Sequence, residues 1–488
     1  MVIGTGPLFG PDVTFFSGQA HRTWHIAQVL VRHGHEVDLV VLQVEGDAKK
    51  DPALPPLLSA HREDFTYHTV NAAEPTEILG ILSERLRRTQ PDAIVGVNVN
   101  AAYLTCQLPT WVPIWADLYG HLMGEAQAKC LRDRSDRLLS HFWQRQRMIL
   151  RRADRFSTAS LRQKLATLGE LGAVGRLNQF TASYPFVSVI PSAASEEYLA
   201  LSDSGYVYEF RGTEFPRDAF AVLWSGGFNT WTDPVGLAAA LSLAMEQLSR
   251  LHLVVTGGAI RGHDEKTFAE FQQYMEEAGF ADRCHYLGWI EGRRLLSLYR
   301  DVDLGLNYDA KIYESLFGAR TRLTNMMAAG LPILTTVCTE ITEIIETEKL
   351  GYAVPVGDIQ GYADAVLRAY HDPTERATYA RRARRYVKRY FSYEATAADL
   401  LEWAQQPQLA PDNAQKRHRF PEQSGPRMVA LNPLEEEAMW AEFQDIRELA
   451  HLAHCYQNLQ KKLGYRAWKT FQRFLGLEKS TSHKIKDK

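Results

Sequence analysis

An acid, a glycine and two arginines fall close together in one stretch, NYDAKIYESLFGARTRLTNMMAAGLPILTT, residues 307–336. The stretch reads as loop, helix, turn, strand. Leu323, Met326, Met327, Ala328 and Ala329 favour a helix, Gly330 ends it, Pro332 prevents its resumption, and 333–336 begin a strand. A helix start offers free backbone N–H groups and the positive end of the helix dipole, which together bind anions. Arg320 and Arg322 at that start would strengthen such a site, and Glu314 places a carboxylate just upstream. The same residues would also serve an ordinary helix connection with surface arginines. A second group with chemical potential is Asp117 and His121, just past the strand 112–116. Open α/β sheets bind ligands beyond the carboxyl ends of their strands. Asp117 or His121 would touch a substrate there, or else cap and anchor the loop.

The elements that must position these groups follow a repeating pattern. Val2 and Ile3 run into Gly4, Gly6 and Gly10, a strand end and a glycine-rich loop that starts abruptly for a first strand. A helix over 24–31, capped by Gly34, leads to a buried strand over 36–42, which makes a βαβ unit. A helix over 76–88, strands over 92–97 and 112–116, a long charged helix over 129–152, and strands at 156–160 and 186–190 follow. A polar stretch over 192–217 interrupts the rhythm. The second series starts with a strand over 219–225 and the pair Gly226-Gly227, then a helix at Pro234 capped by Asp233. Strand 251–255 ends in Gly257-Gly258; helices over 264–278 and 293–300 alternate with strands over 284–287 and 304–307. The pattern predicts an α/β fold of two tandem Rossmann-like domains with a helical C-terminal extension. The boundaries fall at 1–195, 196–404, a proline-rich linker over 405–433 and an amphipathic helical tail over 434–488.

Composition sets outer bounds. The chain has 488 residues, 45% hydrophobic and 23% charged, as expected of a globular protein with two or three domains. A net charge of −3 argues against bulk nucleic-acid binding. The basic run over 381–391 carries Tyr386, Val387 and Tyr390 at helical spacing, which predicts a solvated helix face. Five cysteines without metal or disulfide spacing suit a reducing compartment, and neither a signal peptide nor a membrane-spanning run is apparent. These features predict a cytoplasmic location. The basic, aromatic end of the tail (Lys461, Lys462, Arg466, Trp468, Phe471, Arg473) would either lie on an anionic membrane surface as a peripheral contact or dock back on the protein.

The second half resembles a known family. LWSGGFNTWTDPVGL (223–237), TGGAIRGHDE (256–265), HYLGWI (285–290) and GARTRLTNMMAAGLPILTT (318–336) look like the GT-B glycosyltransferases. The closest pattern is glycosyltransferase family 4, the nucleotide-sugar enzymes of polysaccharide and O-antigen assembly. SGQAHRTWHIAQVLVRHGHEV and QPDAIVGVN extend the resemblance diffusely into the first half. Where the family carries two glutamates eight positions apart, this chain has Phe317 and Asn325, with Glu314 three residues upstream. The family's basic pair after the first strand of the second half is replaced by Phe228 and Asp233.

The resemblance implies a retaining transfer of a sugar from a nucleoside diphosphate sugar to a hydroxyl acceptor, a glycan, lipid-linked sugar or small molecule. Arg320, Arg322 and the backbone amides from Gly318 through Thr321 to Arg322 would meet the diphosphate. Asn325 would bond ribose hydroxyls and Glu314 sugar hydroxyls. Gly226, Gly227 and the nearby Asn229 would face the donor, Gly257 and Gly258 would shape the nucleobase end, and Asp117 and His121 would contact acceptor or sugar. No cofactor or metal is expected, since arginines and amides can carry the charge and no Asp-x-Asp loop occurs. Two other activities fit the same architecture: a nucleotide-sugar epimerase, and a non-catalytic nucleotide- or glycan-binding scaffold. A nicotinamide oxidoreductase fits poorly, because the third glycine is misplaced and no acid stands at dinucleotide spacing.

Overall fold

The computed structural model describes residues 1–419 apart from 9–12, 14–16, 44–49, 63–64 and 202–204. The expected tail over 434–488 therefore lies outside the described residues, as does the linker beyond 419. Among the described residues, no helix is long and apolar enough to cross a membrane.

Two sheets form, one per half, as the alternating pattern requires. The first contains β1 (Val2–Thr5), β2 (Leu39–Leu42), β3 (Leu57–Arg62), β4 (Phe65–Val70), β5 (Ile94–Val97), β6 (Ile114–Tyr119), β7 (Arg155–Thr158) and β8 (Val187–Val189). Their order is β3-β4-β2-β1-β5-β6-β7-β8, parallel except where β3 runs antiparallel to β4. The second contains β9 (Phe220–Gly227), β10 (Leu251–Gly258), β11 (Cys284–Gly288), β12 (Leu304–Asn307), β13 (Ile333–Val337) and β14 (Tyr352–Pro355), ordered β11-β10-β9-β12-β13-β14 and parallel throughout. Chain order reverses beside β1 in one sheet and beside β9 in the other. Such reversals open a crevice at the carboxyl ends of the strands.

Three local features differ from the sequence expectation. The β3–β4 hairpin at the sheet edge is added, half-exposed strands with no proline or glycine turn between them to announce it. The single long helix over 129–152 is two, Leu122–Asp133 and Leu138–Arg152, because Arg134 turns left-handed at φ 51° and breaks the run. The linker expected from 405 holds a helix, Pro411–Arg419, clamped to the first half. Asp412 pairs with buried Arg176, and Asn413 Nδ2 donates to Arg152 O (2.9 Å) and Asp154 Oδ1 (2.8 Å).

The cores follow the same crossing. One hydrophobic cluster lies under β9, β10 and β12 around Trp224 and Phe228. Another joins Trp24, Val41 and Trp115 of the first half to Tyr393, Leu400 and Trp403. Residues 393–405 thus pack on the first half after the chain has completed the second. In the basic helix Pro373–Tyr390, Val387 is buried and Arg384 Nη2 bonds the carbonyls of Leu199 and Leu201, which is a structural role.

Candidate functional site

A cleft of about 330 Å³ lies between the halves, lined by residues from both. On the second half its floor is the end of β9. Gly226 adopts φ 93°, and a Cβ on Gly227 would collide with Ile260. The glycine pair therefore brings bare backbone to the cleft, with Asn229 beside it.

Two helix N-termini reach the same space. Gly18–Arg32 starts there, with Ser17 accepting from Ala20 N (3.1 Å). Thr321–Ala329 starts opposite, and no side chain caps its first amides. Gly18 is needed for this approach: a Cβ would lie 2.6 Å from the Tyr119 hydroxyl. Thr321 Oγ1 joins the halves by hydrogen bonds to Tyr119 Oη and to Ser192 Oγ (3.1 Å). Asn325 Oδ1 accepts from Ser195 N at 3.2 Å, so the acceptor side of that amide is already engaged across the halves.

The two arginines have different fates. Arg320 is an internal structural cation. Its Nε donates to Asp309 (2.8 Å), and its two terminal nitrogens grip both oxygens of Glu314 at 3.0 and 2.8 Å. Burial opposes its charge, but the two carboxylates outweigh it and hold the guanidinium above its usual value. Its charge is spent on holding Glu314 at the cleft wall. Gly318, expected to cradle phosphate, instead makes room for that pair, since a Cβ there would strike Glu314 and Arg320. Arg322 is the available cation. Nη2 donates to Gly227 O (2.8 Å), the guanidinium lies 4.5 Å from the Trp224 ring centre, and Nη1 is buried without a partner. No carboxylate pairs with it among the described residues, and burial pushes its pKa down to about 10. A partly buried cation without a carboxylate partner, beside free helix amides, favours a bound anion.

Glu314 lines the cleft from the short helix Glu314–Phe317. Burial pushes its carboxyl up, against the pull of Arg320. Asp117 does not reach the cleft. It is fully buried on β6, where Arg22 grips both oxygens (3.1 and 2.7 Å) and Ser157 donates to one (2.6 Å). At the end of β6 the register against β7 slips between Asp117 and Tyr119, and Tyr119, at φ 55°, supplies the contact at the cleft. His121 caps the helix Leu122–Asp133 by accepting from Gly124 N (3.0 Å), and its ring packs on Phe317 (4.4 Å between centres). It orders the loop behind the cleft. Gly257 packs against the Gly226 backbone at φ 86° and Gly258 against Phe268 at φ 109°. Both support the floor, whereas Thr256 and Ile260 line it.

The sequence reading missed Ser17, Gly18, Tyr119 and Glu125 at the cleft. Ser17 and Glu125 carried a usable signal, an N-cap residue and an acid in the first turn of a helix that follows a strand. Among the described residues, no group of three or more His, Cys, Asp or Glu is placed to hold a metal ion.

Two facing Rossmann-like sheets with a cleft between their carboxyl ends define the GT-B architecture. Residues 209–386 match the family model described as Glycosyl transferases group 1. A D-inositol 3-phosphate glycosyltransferase of Saccharomonospora viridis is 25% identical over 190 residues, 38% of this chain. That match spans 43% of the relative, less than half its length. Among solved structures, a sucrose-phosphate synthase from Thermosynechococcus elongatus superposes with a TM-score of 0.61 at 16% identity, covering 83% of this chain and 98% of that one. HepE from Anabaena, in complex with UDP-glucose, gives 0.57 at 14% identity, covering 83% and 99%. At these identities the structural likeness speaks for the fold.

Proposed function

We propose that the protein transfers a sugar from a nucleoside diphosphate sugar to a hydroxyl acceptor, with retention, as a family 4-like glycosyltransferase. The observation that carries this reading is Arg322: a partly buried guanidinium, its Nη1 buried and unbonded, with no carboxylate partner among the described residues, facing a cleft that also receives uncapped helix amides and the bare backbone of Gly226-Gly227. That arrangement suits a diphosphate. The group 1 domain match and the UDP-glucose in HepE support a nucleotide-sugar donor, with a uridine nucleotide the first choice.

In this reading Arg322 and the amides at Thr321 and Arg322 hold the diphosphate and stabilise the charge it gains on leaving. Preorganised donors of this kind are usually the largest catalytic contribution. Glu314, fixed by Arg320, contacts sugar hydroxyls. The charge on the diphosphate is met without a metal. Contact of residues 434–488 with an anionic membrane belongs to the same proposal, and vesicle sedimentation with and without those residues tests it.

A thermal-shift screen of nucleoside diphosphates and their sugars tests the donor site. A ligand at about 100 times its dissociation constant adds roughly 2.7 kcal/mol of stability. The expected result is a shift with one diphosphate that Arg322→Ala abolishes. No shift with any nucleotide would overturn the reading; binding without turnover in any sugar-transfer or sugar-hydrolysis assay would leave a nucleotide-binding scaffold.

A further inference from the structure

A second carboxylate stands at the cleft beside Glu314, and it belongs to the other half of the molecule. Glu125 lies in the first turn of the helix Leu122–Asp133, which begins at the carboxyl end of β6. The backbone has been cleared for it. A Cβ on Gly120 would overlap Glu125 Oε1, so only glycine at 120 leaves the carboxylate its place. A Cβ on Gly124 would lie 3.3 Å from Glu314 Cα and 3.2 Å from His121 Nδ1, so this turn packs directly against the Glu314 backbone. The two acids thus approach one another across the junction of the halves.

Their bonding differs. Both oxygens of Glu314 are held by Arg320. The Glu125 carboxylate has no hydrogen-bond or ion-pair partner among the described residues, and its free surface opens onto the cleft. Four charged or titratable groups face it: Glu314 and, behind it, Arg320 from the second half, and His121 and Lys129 from its own helix and cap. Burial and then Glu314 push its carboxyl up to about 7. A group whose proton comes and goes near neutrality is matched to proton transfer at neutral pH.

We propose that Glu125 takes the proton of the acceptor hydroxyl. This rests on the glycosyltransferase reading. In the step, the acceptor oxygen forms its bond to the anomeric carbon on the face from which the diphosphate departs, so that the configuration is retained, and the bond from that carbon to the diphosphate oxygen breaks. The bonding pair leaves with the diphosphate, and the hydroxyl proton passes to the Glu125 carboxylate. Arg322 and the helix amides keep the charge of the leaving group, while Glu314, held by Arg320, stays with the sugar. A water molecule in place of the acceptor follows the same path and gives hydrolysis of the donor.

The test compares the wild-type protein with Glu125→Gln and Glu125→Asp. UDP-glucose hydrolysis is followed from pH 5.5 to 8.5, with ADP-glucose and GDP-glucose as further probes, and binding of the matching diphosphate is measured by calorimetry. Wild-type hydrolysis is expected to rise through about pH 7 as Glu125 ionises. Glu125→Gln should lower the rate at least about a hundredfold and flatten the pH profile. Diphosphate affinity should stay within about twofold, and Glu125→Asp should keep a pH-dependent rate. A Glu125→Gln protein with unchanged rate and pH profile would overturn the proposal. So would a loss of diphosphate binding matching the loss of rate, since Glu125 would then position the donor site instead. If the wild-type protein binds no nucleotide at all, the glycosyltransferase reading itself fails, whatever Glu125 does.

Discussion

Two arginines two positions apart do opposite work. Arg320 pairs with both Asp309 and Glu314 in the interior; Arg322 pairs with no carboxylate among the described residues. Removing one partner of a buried ion pair strands the other charge and costs about 3–5 kcal/mol. Arg320→Ala should therefore lower stability by about that amount, measured by denaturant unfolding. Arg322→Met removes one hydrogen bond but also a partly buried cation that no carboxylate pairs among the described residues, so stability should change by no more than about 1 kcal/mol in either direction. The same variant should weaken diphosphate binding by about tenfold to a hundredfold, as expected for a lost charge-assisted hydrogen bond, measured by calorimetry. If both variants unfold equally easily, the division of roles is wrong. The two residues look alike in sequence. Only their neighbours separate them, and Asp309 is brought to Arg320 by the fold around β12 and β13: its backbone amide donates to Thr336 Oγ1 (2.9 Å).

At the scale of elements, the helix Gly18–Arg32 does more than present its N-terminus to the cleft. Its inner face carries Arg22, which holds Asp117, together with the buried histidines His21 and His25. His21 lies 2.8 Å from Ala193 O, and His25 Nε2 donates to Tyr393 O (3.1 Å) while its ring stacks on Tyr393 (4.5 Å). Burial holds both imidazoles below their usual value, His25 well below, with Arg22 adding to the effect. In the unfolded chain they protonate near pH 6.5. Below that pH the unfolded state binds more protons than the folded one, so stability falls as the pH drops from about 6.5 towards the folded values. Melting temperatures at pH 7.5 and 5.0 should differ in that direction, and His25→Gln should reduce the difference. An unchanged pH dependence in that variant would show that the helix contributes little to acid sensitivity.

At the scale of the molecule, the chain ends its second half by returning to the first. Trp403 packs on Trp115 of β6, 5.4 Å between ring centres, and the Pro411–Arg419 helix is bolted on by Asp412 and Asn413. Trp403→Ala should destabilise the protein by about 3–5 kcal/mol, as expected for a large aromatic removed from a core. The loss should appear in the first half, read by hydrogen exchange of β1, β5 and β6, although the residue is more than 200 positions away in sequence. The halves are also latched at the cleft rim, where Arg132 Nη1 donates to His263 O (2.7 Å) and lies 3.3 Å from Asp264 Oδ2. Closure of the cleft over a ligand would act through contacts of this kind.

Much of the architecture was legible in residue order. Strand, glycine turn and helix alternate with periods that dictate parallel sheets, and the break in that rhythm separates two sheets. The stretch 307–336 stands out because a helix start, an acid and two cations coincide there, and Glu314, Arg320 and Arg322 do line the cleft. Local signals of this kind act over a few residues, so they survive in the sequence. What only the tertiary structure decided is which groups face the cleft. Asp117 points inward to Arg22, Gly318 makes room for an ion pair, and Glu125 meets Glu314 from the other half. The return of residues 393–419 to the first half was equally hidden. Each of these depends on partners distant in sequence. A charge is free or spent according to what the fold brings within about 3 Å of it, and residue order alone does not state that distance.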